Sequence, residues 1–197
     1  MRAHRYALIA ITVALFCASG PGARADISSM LNPFAAYQKN IPRAAQANDV
    51  PKIRSLLSDG ISPNQTDENG GTTGMHIAAA SGNLQIIAIL YKAGADVNQH
   101  DNLGSTPLDY ATERDHLDAA KLLLDMKANI NDQNKNGMTA LMFAAKTGDI
   151  ELVRAMLDHG ANPNVLDYTG RDASGWALDS HRPMVVQLLK DATAHRR

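Results

Sequence analysis

Asn134 to Asn164 reads NKNGMTALMFAAKTGDIELVRAMLDHGANPN, and altered copies of it stand on both sides. A step back of thirty-three residues carries Thr139, Ala144, Gly148, Leu157 and Asn164 onto Thr106, Ala111, Asp115, Leu124 and Asn131. A second step lands on Thr73, Ala78, Gly82, Tyr91 and Asn98, and a forward step carries Thr139 and Ala144 onto Asp172 and Ala177. Self-similarity at such a period marks a stacked array in which each unit buries its apolar face only against its neighbours.

Each unit reads as two short helices. The first helices begin at Thr73, Thr106, Thr139 and Asp172, whose side-chain oxygens suit the unpaired N–H groups of an opening turn. Pro107 stands at a first helical position, where its missing donor costs nothing. The first helices then run through Met75–Ala80, Leu108–Ala111 and Leu141–Ala145 and end near Gly82, Asp115 and Gly148, where a tight turn is needed. In the second helices Val50, Ile53, Leu56 and Leu57 recur as Leu84, Ile87, Leu90 and Tyr91, as Leu117, Ala120, Leu123 and Leu124, and as Ile150, Val153, Met156 and Leu157. That spacing predicts one buried stripe per second helix. These helices end at Gly60, Gly94 and Gly160, but at Lys127 in the third unit, so a lysine is expected to stand at positive φ there. Between units lie NQTDENGG (64–71), NQHDNLG (98–104), NDQNKNG (131–137) and NVLDYTG (164–170). Their fourth-place Asp or Asn and closing Gly predict hairpin-like turns.

The motifs Thr73-Gly74-Met75-His76-Ile77-Ala78, Thr106-Pro107-Leu108-Asp109-Tyr110-Ala111 and Thr139-Ala140-Leu141-Met142-Phe143-Ala144 resemble ankyrin repeats, as do Gly94-Ala95-Asp96-Val97-Asn98 and Gly160-Ala161-Asn162-Pro163-Asn164. The resemblance runs from about Ile41 to the C-terminus. It implies an all-α solenoid of paired antiparallel helices with projecting β-hairpin-like loops, in units of about 41–72, 73–105, 106–138 and 139–171, closed by a C-terminal cap at 172–197. Only the second unit keeps the motif histidine, His76, so the Thr–His hydrogen bonding of the family is expected to be incomplete elsewhere.

Outside the array, Arg2, His4 and Arg5 precede the apolar run Ala7–Ala18, and Ala23-Arg24-Ala25 offers a small-x-small site. Residues 1–25 therefore read as a signal peptide cleaved after Ala25, with a periplasmic or secreted destination. The run is too short to span a bilayer, so no stable membrane insertion is expected. The single cysteine, Cys17, would leave with this leader, and Leu15 and Phe16 before it do not fit a lipidation site. Residues 26–40, with Ile27, Met30, Leu31, Phe34 and Tyr37, read as an N-terminal capping segment. After cleavage, 16 basic side chains face 20 acidic ones. That balance argues against nucleic acid as a partner.

No catalytic constellation appears: there is no nucleophile elbow, phosphate loop or His-Glu-x-x-His. His76, His100, His116, His159 and His181 occupy unrelated register positions, so no shared metal is expected. Asp67, Asp101, Asn134 and Asp167 recur one unit apart, too far to share a calcium ion, and are read as turn-formers. No cofactor is expected. What remains is recognition of another protein by a monomer. The resemblance implies a scaffold or adaptor docking through a concave face of loop tips and first helices. Alternative roles are a secreted effector acting on a host protein and a periplasmic helper of an oxidative-stress enzyme such as catalase.

On that face the variable tip residues are Gln65, Thr66 and Glu68 in the first loop, then His100, Asn102, Leu103, Gln133, Lys135, Asn136, Leu166, Tyr168 and Thr169. Glu113, Arg114 and Lys146 at first-helix ends join them as charged candidates. Leu103, Leu166 and Tyr168 have no internal reason to be apolar at tips, and Tyr168 is the foremost candidate anchor. Trp176 aligns with Ile77, Tyr110 and Phe143, an apolar register that predicts core packing.

Overall fold

The computed structural model describes residues 40–68 and 71–194, so the expected leader at 1–25 and nearly all of the 26–40 segment lie outside the described residues. Residues Ile41–Arg197 form one compact unit. Among the described residues, ten helices follow in pairs: α1 (Ile41–Gln46) and α2 (Val50–Ser58), α3 (Gly74–Ala80) and α4 (Leu84–Lys92), α5 (Pro107–Glu113) and α6 (Leu117–Asp125), α7 (Ala140–Thr147) and α8 (Ile150–Asp158), α9 (Ala173–Asp179) and α10 (Pro183–Ala194). Among the described residues the sole β-type pairing is one antiparallel bridge between Thr66 and Thr73. The architecture is the all-helical solenoid expected from the period.

Each pair is joined by a turn of two or three residues. One residue in each turn takes positive φ: Asn48 (55°), Gly82 (66°), Asp115 (62°), Gly148 (90°) and His181 (58°). First helices stack on first helices, α3 against α1 and α5, α7 against α5 and α9, while α6 lies against α4 and α8. The alanines at the crossing points, Ala78, Ala111, Ala144 and Ala177, are fully buried. A methyl group is all that fits where adjacent backbones approach so closely.

The second-helix stripe is centred differently from the expectation. Ile87, Leu90, Ala120, Leu123, Val153 and Met156 are fully buried as predicted, but Leu84 and Tyr91 at the stripe's edges are exposed. The preceding residues Ile86, Ala119 and Leu152 are buried instead. Each second helix packs both inward onto its own first helix and sideways onto its neighbours, which turns its apolar arc by about one residue.

The helix starts also depart from expectation. In α3, Nδ1 of His76 accepts from the Thr73 backbone N–H (3.1 Å), so Nε2 carries the proton and donates to the Ser105 carbonyl, just before the next unit (3.1 Å). Burial lowers the pKa of His76 and keeps the ring in this neutral tautomer. The third unit holds Asp109 in place of the motif histidine, yet its capping box is complete. Oδ2 of Asp109 accepts from the Thr106 N–H (2.8 Å) and hydroxyl (3.1 Å). Asp109 supplies the acceptor that Nδ1 provides in α3, and only the bond that Nε2 makes to the end of the following loop has no counterpart. In α9, Asp172 caps the N–H of Gly175 (2.7 Å). Of the first helices α3, α5, α7 and α9, α7 alone lacks a side-chain cap, and its N3 residue, Met142, offers no reciprocal polar group either.

Candidate functional site

The turns between units are built by their fourth-place residue. Oδ1 of Asp101 accepts from the N–H groups of Leu103 and Ser105 (both 2.8 Å). Asn134 does the same for Asn136 (2.9 Å) and Met138 (3.0 Å), and Asp167 for Thr169 (2.8 Å) and Arg171 (2.9 Å). Their Oδ1 atoms are consumed by their own loops. Local turn formation is therefore what Asp101, Asn134 and Asp167 do, and Asp67 accepts from Thr72 in the same way (2.8 Å).

Successive loops are then tied edge to edge. The Lys135 N–H donates to the Leu103 carbonyl (2.9 Å), and the Tyr168 N–H donates to the Asn136 carbonyl (3.2 Å). The glycine closing each loop permits the approach: a Cβ on Gly104 would stand 3.1 Å from the Lys135 nitrogen, and one on Gly137 only 2.7 Å from the Tyr168 nitrogen. At the loop bases a ladder of asparagines repeats the tie. Asn64 accepts from the Asp96 N–H (2.7 Å), Asn98 from Asn129 (2.8 Å) and Asn131 from Asn162 (2.7 Å). The row of tips is thereby a connected ledge rather than a set of separate fingers.

All twelve candidate residues, from His100 to Thr169, are exposed. Nine of them belong to the ledge. Leu103 (66% exposed), Leu166 (55%) and Tyr168 (74%) present their side chains to solvent although their backbones are pinned. Two of the nine also have internal duties. Gln133 donates through Nε2 to the carbonyls of Gly137 (2.6 Å) and Leu166 (3.0 Å), and Nε2 of His100 lies 3.3 Å from Oδ2 of Asp132. Glu113, Arg114 and Lys146 stand apart, at the last turns of α5 and α7. A seven-residue helix puts them about 10 Å along the axis from the loops.

Trp176 and Tyr110 correct the expected core register. Phe143 is buried, but Ile77, Tyr110 and Trp176 are only half-buried, each with one side on the core and the other open. The open side has polar company. The Tyr110 hydroxyl donates to Oδ2 of Asp101 (2.9 Å), and the Trp176 indole N–H donates to Oδ2 of Asp167 (2.9 Å). Arg171 lies over the Trp176 ring at 3.9 Å, and the Lys146 ammonium at 5.6 Å. Arg171 also meets Asp179 at 2.9 Å. The signal that separates these positions from true core was in the sequence: the turn residue nine places earlier is Asp where the register holds a donor, Tyr or Trp, and Asn134 where it holds Phe143.

The electrostatics of Asp167 follow from this crowding. Burial alone would raise its pKa, but donors from the Thr169 hydroxyl, the Arg171 and Thr169 backbones and the Trp176 indole outweigh burial and bring it down to about 2. The remaining histidines are dispersed on separate partners, His116 on the Ala80 carbonyl (3.0 Å) and His159 on Ala155 (2.7 Å). Among the described residues no three His, Cys, Asp or Glu side chains are grouped to hold a metal ion, and no helix is long and apolar enough to cross a membrane.

A family model for ankyrin repeats, in three copies, matches residues 42–134 and 127–196. The chain belongs to the ankyrin-repeat family. Ankyrin repeats indicate a protein–protein interaction scaffold.

Proposed function

We propose that this ankyrin-repeat protein is an exported scaffold or adaptor that docks another protein on its loop ledge, without chemistry of its own. The observation that carries this reading is the trio Leu103, Leu166 and Tyr168, exposed on a row of tips already hydrogen-bonded to one another. Apolar anchors on a backbone that needs no further ordering bind at small entropic cost. Leu166 and Tyr168 are the anchors at one end of the row, and Thr169, Asn136, Lys135, Leu103 and Asn102 extend the surface beside them. An interface of ordinary size, about 800 Å² per side, spans several adjacent tips. The basic start and apolar run at residues 1–18 support export to the periplasm or beyond.

The test is affinity capture from periplasmic extract with wild type and with Tyr168→Ala plus Leu166→Ala as baits. A protein held by wild type and lost by the double variant is the expected result. Equal recovery by both baits removes the ledge from the account. Cell fractionation tests the compartment independently, and a captured catalase or a host protein would assign the partner class.

A further inference from the structure

The last turns of the first helices carry a column of charge that the loop ledge does not use. Glu113 ends α5, Lys146 stands in the last turn of α7 and Asp179 ends α9, all at one register of the repeat and all exposed. In α1 and α3 the same register holds Gln46 and Ala80, so charge enters the column only at the third unit. Because α5 lies against α7 and α7 against α9, consecutive members stand one layer apart, about 8–10 Å.

The three charges are not equally engaged. Asp179 meets Arg171 at 2.9 Å. Among the described residues neither Glu113 nor Lys146 has an oppositely charged group within ion-pair distance, each other included. The helix ends account for Lys146, whose charge suits the negative end of α7, but not for Glu113, whose charge has the wrong sign for the end of α5. Each member follows an aromatic residue by three places: Tyr110 before Glu113, Phe143 before Lys146 and Trp176 before Asp179. Residues so spaced are neighbours on one helix face. The Lys146 ammonium extends 5.6 Å from the Trp176 ring in the next layer. Arg114, beside Glu113, belongs to the next column, with Ser81, Thr147 and Ser180.

We propose that Glu113 and Lys146 read the charge order of the docked segment, taking a basic side chain over the end of α5 and an acidic one over the end of α7. The inference rests on the docking role and deepens it: the apolar tips supply anchors, and this column selects the partner by sign. An extended segment crossing the layers advances about 3.3 Å per residue, so its residues i and i+3 fall one layer apart. A matching segment makes both pairs at once, whereas one with the order reversed sets like charges opposite each other at both places. An acid at Lys146 also competes with the Trp176 ring for the ammonium, which gives the contact an optical reporter in the single tryptophan of the sequence.

The test uses a random peptide library displayed on phage and selected on the full chain. The best peptide and a version with its acid and base exchanged are then synthesised and titrated against the protein, with Trp176 emission as the signal. Wild type should bind the selected peptide about tenfold more tightly than the exchanged one, and the preference should shrink at high salt. In Glu113→Lys plus Lys146→Glu the preference should invert, and in the milder Glu113→Gln plus Lys146→Met it should vanish. Circular dichroism checks that each variant is folded. The same preference in wild type and the neutral variant overturns the proposal, as does a selection that enriches no peptide or peptides without a base and an acid three residues apart. Tyr168→Ala plus Leu166→Ala, titrated with the same peptides, separates the two claims. Binding lost there but indifferent to the charge variants sinks the charge column alone, and binding kept there but inverted by the exchange sinks the ledge alone.

Discussion

Lys127→Gly should make the protein more stable, and the size of the gain follows from torsion alone. Lys127 closes α6 at φ 69°, where the equivalent closures of α2, α4 and α8 are Gly60, Gly94 and Gly160 at 79°, 87° and 92°. The left-handed conformation costs a residue with a Cβ about 1–2 kcal/mol. Against the relief stands the greater backbone freedom of glycine in the unfolded chain, about 0.4–1 kcal/mol. The net expectation is a gain of about 0.5–1 kcal/mol, or roughly 1–4 °C in Tm, for an array of this length. Lys127→Ala separates the cause, since it removes the charge but keeps the Cβ, and should give no gain. Reciprocal variants Gly94→Ala and Gly160→Ala should each lose about 1 kcal/mol. A Cβ at either position meets no atom within 4 Å, so steric crowding cannot supply that loss. Paired thermal and urea unfolding monitored by circular dichroism is the assay. An unchanged or lower midpoint for Lys127→Gly refutes the torsional argument, as does an equal gain for Lys127→Ala.

Leu123 is fully buried in α6, between the second helices of the units before and after, so Leu123→Ala should cost about 2–5 kcal/mol. Urea unfolding that shifts by less than about 1 kcal/mol would deny that the layers share one core. Asp167 predicts an acid transition with a local reporter. Its pKa of about 2 lies below the unfolded 3.8, so its contribution is intact above that value and lost as pH falls through 2. Trp176, the single tryptophan of the sequence, donates to Asp167, so its emission should change between about pH 4 and pH 2. Emission indifferent to that interval would mean that the carboxylate does not hold the indole.

The period, the helix pairs and the glycine-closed turns were all legible in the sequence, because each depends on residues a few places apart. Even the strained Lys127 could be placed, since three glycines marked its position in other units. What escaped depends on contacts between units. Ile86 and Ala119 are buried because helices press on them from two sides, which one helix's spacing does not reveal. Trp176 looked like core because its register is apolar, yet the first-helix face is only half covered by the loops. Asp109 looked like a broken motif, but the role of His76 toward its own threonine needs only an acceptor, and aspartate supplies one. The twelve candidate residues were found as the exposed ones by a simple rule: residues not needed by the period are free to vary. That rule did not foresee the bonds of Gln133 or the separation of Glu113, Arg114 and Lys146 from the ledge.

The claim that the loop ledge is the docking surface is tested most directly by measuring dissociation of the captured partner from two sets of variants. Tyr168→Ala and Leu166→Ala alter the ledge, while Arg154→Ala and Gln187→Ala alter the cleft between α8 and α10 on the second helices. The account predicts that either ledge variant weakens binding by about 2 kcal/mol or more, roughly thirtyfold in Kd and mostly in the off-rate, and that the second-helix variants leave it unchanged. Full affinity in the ledge variants with loss in Arg154→Ala or Gln187→Ala would contradict it and move the docking site to the opposite side of the array.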